Sequence, residues 1–434
     1  MSTRLPAALR AYRLLSTAAG PLTPLFLSRR LKRGKEIGAR LPERQGLSRI
    51  KRPDGPLVWL HAASVGELAC ALPLIERLRG RGVGVLVTTG TVTSSGLAEQ
   101  RLPRGAIHQF VPLDVPQFMN RFLAHWRPDL ALIVEQDLWP NMIVEASVRG
   151  VPMILINARV SEASFQRWTY LRSMIVDLLQ RFDLCLAGTP ADAERLTALG
   201  APRVVTAGNL KLDVPAPPVD NGKLMQLKDA IAMRPMIAAA STHPGEESAV
   251  IDAHRRLRGN FPGLLTYIAP RHPERGPGVV ELAAAAGLKT AMRSRGERID
   301  AATDVYVADT VGELGVLYRL APVVFIGGSL INHGGQNPIE AAKLGAAILH
   351  GPHVFNFAEI YEALDAAHGA ELVADAGRLT AAFGALLSNA AARERTTEAA
   401  RATVDALGGA LERTLESLEP YLMQLQLRGR NGHA

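Results

Sequence analysis

Ionisable and polar side chains recur at one kind of place in this sequence, just after a short apolar run and just before a helical stretch. In HAASVGE (61–67), Glu67 opens a helix. The helix dipole keeps a carboxylate there ionised and able to take a proton from a hydroxyl. Gly66 before it permits a tight turn. A plain helix-start glutamate with no further role fits the same spacing. VEQDLWPN (134–141) sets Glu135, Asp137, Trp139 and Asn141 after another run. Acids beside an indole suit a sugar surface, and equally a polar turn with a half-buried Trp. INARVSE (156–162) offers Asn157 and Arg159, and GNLKLD (208–213) offers Asn209 and Lys211, a cation able to meet a phosphate.

The second half repeats the arrangement with a different chemistry. In ASTHPGEE (240–247), Ser241, Thr242 and His243 are placed to touch a sugar or its phosphate, or Thr242 or His243 simply caps the helix. APRHPER (269–275) sets Arg271 and His272 where a phosphate needs cations, on a loop stiffened by prolines. In GGSLINHGGQNPIEAA (327–342), Gly327, Gly328, Gly334 and Gly335 let the backbone approach a ligand closely. Asn337 as N-cap, Pro338 at the first helical position and Glu340 three residues after Asn337 predict a helix start whose N–H groups favour phosphate. The same residues also satisfy an ordinary capping box. No HExxH, Walker A run, DxD pair or Ser-His-Asp order occurs, so neither a metal nor another cofactor is expected.

The elements that must position these groups follow from the apolar runs. Segments 57–63, 82–90, 106–112, 129–135, 151–158 and 183–188 are short, rich in Val, Ile and Leu, and separated by helical stretches. That is the rhythm of a buried parallel sheet. It breaks at DVPAPPVDNG (213–222), where Pro215, Pro217 and Pro218 cannot continue a helix or a central strand. A second series, 236–241, 264–270, 303–309, 322–328 and 346–352, then begins. The reading is α/β, with two Rossmann-like doubly wound domains facing a cleft and ligands beyond the carboxyl ends of the strands. Domain one spans 53–214. Domain two spans 215–434 and includes an Ala-rich helical tail.

At 47% hydrophobic and 21% charged, the 434-residue chain is globular and long enough for two cores. Cys70 and Cys185 make no disulfide framework. Residues 1–52 hold 13 Lys or Arg against Glu36 and Glu43, a net of +11, so the rest carries about −3 of the total +8. A basic start on a near-neutral body points to an anionic partner at that end. The apolar segment 5–27 is interrupted by Arg10, Arg13, Pro21 and Pro24, and falls short of the roughly 18 apolar residues of a membrane span. A helix lying on a membrane surface, followed by Arg29, Arg30, Lys32, Arg33 and Lys35, fits better.

Together the motifs resemble the transferases of 3-deoxy-D-manno-octulosonic acid (Kdo). HAASVGE, EQDLWPN, INAR, GNLK, STHPGEE, PRHPER, DTVGEL (309–314), GGSLINHGGQNPIEAA and GPHVFNF (351–357) stand in that family's order. The resemblance implies the two-domain GT-B architecture and inverting, metal-free transfer from CMP-Kdo to a lipid A precursor. It places the enzyme at the cytoplasmic face of a bacterial inner membrane, on an anionic lipid surface and without nucleic acid. It implies Glu67 as general base and Glu340 on the ribose hydroxyls. Ser241, Thr242, His243, Arg271, His272, Gly334, Gly335, Asn337 and Lys211 fall on the donor side. Glu135, Asp137, Trp139, Asn157 and Arg159 fall on the acceptor side. Gln336 stands where the family usually has His, and Gln136 and Asp137 where it usually has Thr and Glu. Two alternatives share the fold: a lipid-directed transferase using a UDP-sugar, and a catalytically silent membrane-associated homologue.

Overall fold

The computed structural model describes residues 5–216 and 219–431. Chain contacts divide it into two compact units. One is built from the chain up to Val214 together with the chain from Gly408 onward, the other from Pro215–Leu407. The break falls at the expected Pro-rich stretch, of which Pro217 and Pro218 lie outside the described residues.

The first unit holds seven strands: β1 (Leu57–His61), β2 (Gly84–Thr89), β3 (Ile107–Phe110), β4 (Leu130–Val134), β5 (Met153–Ala158), β6 (Leu184–Ala187) and β7 (Val204–Thr206). They form one parallel sheet in the order β3-β2-β1-β4-β5-β6-β7. Both faces are covered, which is why the central strands read as unbroken apolar runs. Along β1, Leu57 and Trp59 join one core while Val58 and Leu60 join the other. The first core takes Leu9 from the helix Ala7–Ala19 and Phe122 and Trp126 from Pro116–Trp126. The second takes Leu68, Leu74 and Ile75 from Val65–Gly80, and Leu415, Leu418, Leu422 and Leu425 from Ala410–Asn431.

That last helix corrects the expected domain division. The tail was assigned to the second domain by sequence position, but it closes a face of the first sheet. Asp213 fixes its start by accepting from Gly409 N at 2.7 Å and from Leu411 N. Arg81 pairs with Glu419 further along at 2.5 Å.

The second unit repeats the plan with β8 (Met236–Thr242), β9 (Leu265–Pro270), β10 (Thr290–Met292), β11 (Val305–Val307), β12 (Val323–Ile326), β13 (Ala347–His350) and β14 (Ala370–Leu372). The parallel order is β10-β11-β9-β8-β12-β13-β14. Each sheet has a central pair from which the chain winds out in both directions, β1 with β4 and β8 with β12, though at the second sheet's edge β11 inserts between β10 and β9. At such a switch point the following loops leave in opposite directions and open a crevice at the carboxyl ends.

Candidate functional site

At the first switch point, the loop after β1 delivers Glu67 and the loop after β4 delivers Glu135 and Asp137. Glu67 lies in the first turn of Val65–Gly80, not ahead of it. Ser64 is the N-cap: its Oγ accepts from Glu67 N at 3.3 Å and donates to Glu67 Oε1 at 2.9 Å. Ala63 N donates to Oε2 at 2.7 Å. The N-cap bond from Glu67 N, with the return contacts to Ser64 Oγ and to the amide of Ala63 just before the cap, fixes the carboxylate. Burial pushes its pKa up, and the charges of Asp137 and Glu135 push in the same direction, against the hydrogen bonds from Ser64 and Ala63. Gly66 does not make the expected tight turn. It lies within the helix, and a Cβ there would meet nothing within 4 Å.

Asp137 is held from beneath by a chain of buried groups. Trp59 Nε1 donates to Thr88 Oγ1 at 2.9 Å, and Thr88 Oγ1 lies 2.9 Å from His61 Nδ1. His61 Nε2 reaches Asp137 Oδ2 at 3.1 Å. A carboxylate accepts, so Nε2 carries the hydrogen in this pair. Glu135 occupies the left-handed region at φ 61°. It accepts from Lys211 Nζ at 2.8 Å and from Asn157 Nδ2 at 3.4 Å. Asn157, itself at φ 50°, also accepts from Leu210 N at 3.0 Å. Lys211 therefore stands with the acids of the first unit, where the sequence reading had placed it among the donor-binding cations. Trp139 is 46% exposed and precedes the helix Pro140–Val148. Arg159 is half-buried just beyond β5.

At the second switch point, Ser241 turns the chain at φ 56°. Gly327 lies so close that a Cβ on it would stand 2.5 Å from Ser241 O. Neither Thr242 nor His243 caps the following helix, which runs Glu246–Leu257 behind Gly245 at φ 99°. Thr242 Oγ1 instead donates to Glu247 Oε1 at 2.9 Å, and Arg275 pairs with the same oxygen at 2.5 Å. This links the helix to the 271–275 loop, where Arg271 and His272 are exposed. His243 lies against His333, ring centroids 3.9 Å apart, with His272 at 6.0 Å. Gln336 Nε2 is 3.2 Å from His243 Nε2.

The Gly-rich loop departs from expectation. Its helix covers only Ile339–Lys343, and Asn337 Oδ1 accepts from Ile339 N at 3.0 Å without serving as N-cap. Gly334 and Gly335 are left-handed at φ 96° and 74°. A Cβ on Gly334 would collide with Asn356 and Phe355 at 2.5 Å, so this glycine serves packing within the chain. Gly335 N donates to Gly328 O at 2.7 Å and Gln336 N to Gly327 O at 3.0 Å. These two loop amides are spent internally and are not offered to a ligand. Glu340 lies partly buried beyond them, its pKa raised by burial against a hydrogen bond with Asn337.

The motif reading missed His61, His333, Glu246, Glu247 and Arg275. All five fall inside quoted motifs, but their partners are set by the fold. Among the described residues no group of three His, Cys, Asp or Glu is placed to hold a metal ion.

The family profile of 3-Deoxy-D-manno-octulosonic-acid transferase (kdotransferase) matches residues 39–214. The 3-deoxy-D-manno-octulosonic acid transferase of Bordetella pertussis is 37% identical over 431 residues, covering 95% of this chain and 99% of its relative. The probable mitochondrial transferase of Arabidopsis thaliana is 36% identical over 415 residues, 93% of each. Among solved structures, a glycosyltransferase from Rickettsia africae superposes with TM-score 0.59 at 13% identity, covering 85% of this chain and 99% of that one. This last likeness concerns the fold, which is GT-B.

Proposed function

Because the chain belongs to the 3-deoxy-D-manno-octulosonic acid transferase family, we propose that it moves Kdo from CMP-Kdo to a hydroxyl of a lipid A precursor, with inversion and with Glu67 as general base. The observation that carries this reading is the carboxylate group at the first switch point. Glu67 is fixed by Ser64 and Ala63, and burial and neighbouring acids raise its pKa. A base must hold its proton long enough to hand it on, and a raised carboxylate pKa moves it toward that balance. Glu135, Asp137, Trp139 and Arg159 would receive the acceptor, with the buried Asn157 holding Glu135 from within. Lys211 orders Glu135.

In the second unit His243, Arg271 and His272 would hold the donor's anionic groups, Ser241 and Thr242 would shape the loop between them, and Glu340 would accept from the ribose. Negative charge builds on the departing CMP, and fixed cationic or donor groups stabilise it.

The first helices would carry the protein onto an anionic inner-membrane surface. Among the described residues no helix is long and apolar enough to cross a membrane. Leu14 and Leu15 are each 72% exposed and Leu25 is 58% exposed, alongside the exposed Arg10, Arg29, Lys32 and Arg33.

The test is the product mass after mixing the protein with CMP-Kdo and lipid A precursor. One or more added Kdo residues are expected. Transfer from a UDP-sugar, with CMP-Kdo untouched, would replace the donor. No transfer from either would favour a silent homologue.

A further inference from the structure

The second unit's most obvious anion site is already filled by its own chain. Glu246 is buried at 1% exposure. Its Oε2 accepts from His243 N at 2.9 Å and Gly328 N at 2.7 Å. Its Oε1 accepts from Ser329 N and Leu330 N, both at 3.0 Å. A carboxylate with four such bonds occupies the turn where a phosphate would otherwise sit. An incoming anion must be met by other donors. Imidazoles stand beside that turn: His243 packs against His333 at 3.9 Å and faces His272 at 6.0 Å, with the exposed Arg271 next in the chain.

We propose that His243, His272 and His333 together form the oxyanion receptor of the second unit, and that it takes up a proton from solvent when a ligand with two negative charges enters. This rests on the reading that the second unit holds the donor, and extends it by naming His333 and the proton coupling. The ligand class is a phosphate ester with a further negative charge. In CMP that charge is on the same phosphate. In a nucleotide-linked octulosonic acid it is the sugar carboxylate.

The groups around His243 set the direction of the coupling. From the 327–336 loop come His333 and the neutral Gln336, and from the 271–275 loop come His272 and Arg271. From the helix Glu246–Leu257 come Glu246 and Glu247, the first spent on four amides and the second on Thr242 and Arg275. Burial, then His333, His272 and Arg271, lower the His243 pKa to about 4, against a smaller opposing pull from Glu247. The protein groups around it therefore keep this ring neutral at ordinary pH. A neutral ring also suits Gln336, whose amide N–H needs a lone pair on His243 Nε2. A dianion reverses the balance: it favours imidazolium, and turning the Gln336 amide would present Oε1 to the new N–H. The step is imidazole plus a solvent proton giving imidazolium, with no other bond made or broken.

The probe is CMP titrated calorimetrically into the full chain at about pH 7.5, where a phosphate monoester with a second pKa near 6 is dianionic. Buffers of different ionisation enthalpy then report the protons taken up. We expect net uptake, affinity rising as pH falls toward 7, and about tenfold or more weaker binding with a smaller proton number in His333→Gln. His333 is exposed, so that variant should fold. Histidine-ring NMR signals separate the possible failures. If CMP shifts the rings but binds without uptake and equally well to His333→Gln, the receptor proposal is wrong and the donor reading stands. If CMP leaves the rings unmoved while CMP-Kdo is turned over, the donor reading itself falls, and the proposal with it.

Discussion

On the proposed mechanism, Glu67 is one side chain serving fold and chemistry together. Its oxygens accept from Ser64 Oγ and Ala63 N at the helix start, and the same bonds aim it. Glutamine can keep both contacts, its Oε1 accepting from Ala63 N and its Nε2 donating to Ser64 Oγ. Glu67→Gln should therefore melt near the wild type while single-turnover transfer under saturating donor falls about 10²–10⁴-fold. A near wild-type rate would remove Glu67 from the mechanism and make Asp137 the next candidate. As a general base Glu67 would work ionised, and its pKa is raised by burial, Asp137 and Glu135. The transfer rate should thus rise with pH through a value above that of an ordinary carboxylate. Asp137→Asn removes one of the charges that raise it, so the acid limb should move to lower pH; an unmoved limb would show the two acids to be uncoupled. Glu67, Asp137 and His243 were legible in the sequence because they follow strands. His61 and His333 were not, since a histidine's role depends on what its ring meets. His61 joins Thr88 to Asp137 across 27 and 76 residues of chain. His333 reaches His243 only because β8 and β12 pair side by side.

Among elements, the central strands were legible because burial on both faces forces continuous apolar runs. The three strands the runs missed, β7, β10 and β14, are sheet edges of three residues each. β7 carries Val205 at 40% exposure and β14 Leu372 at 54%, so they show no buried pattern to read. The first helix was expected to lie on a membrane surface, and one of its sides is instead packed into the first unit. Leu9 is fully buried, Tyr12 donates to Asp114 at 2.9 Å, and Arg13 pairs with Glu145 at 2.6 Å. Removing the first 30 residues would open the core, so point changes are the cleaner test of membrane docking. Leu14→Asp with Leu15→Asp should cut binding to anionic vesicles, with the melting temperature held. Wild-type binding should also weaken with added salt, since each basic side chain near such a surface contributes about 1 kcal/mol that salt screens. Vesicle binding unaffected by both the double change and salt would place the membrane contact elsewhere or nowhere.

For the whole molecule, chain order and domain membership differ, and the C-terminal helix is the reason. Its sequence lies beyond the second series of strands, so position alone assigned it there. Its apolar stripe, Leu415, Leu418, Leu422 and Leu425, belongs to the core formed with β1, β4 and Val65–Gly80. The first unit is thus discontinuous and the second continuous. Two consequences can be measured. Leu418 is fully buried, and Leu418→Ala should cost about 2–5 kcal/mol in urea unfolding of the first unit, the range for a leucine cavity. More decisively, a fragment spanning 215–407 carries its own seven-stranded sheet and its own core, and should fold alone with a cooperative thermal transition. A fragment ending at Val214 keeps its sheet but loses the helix that covers one face. It should be aggregated or loosely packed until a peptide of residues 408–431 is supplied. Circular dichroism and amide exchange of the two fragments decide the matter. A well-folded 5–214 fragment without the peptide would show the helix to be a dispensable strap, and a 215–407 fragment that fails to fold would show that the second unit needs the first. If 215–407 folds, CMP titration should shift His243, His272 and His333 in the fragment as in the full chain, because every group of that receptor lies between residues 241 and 336.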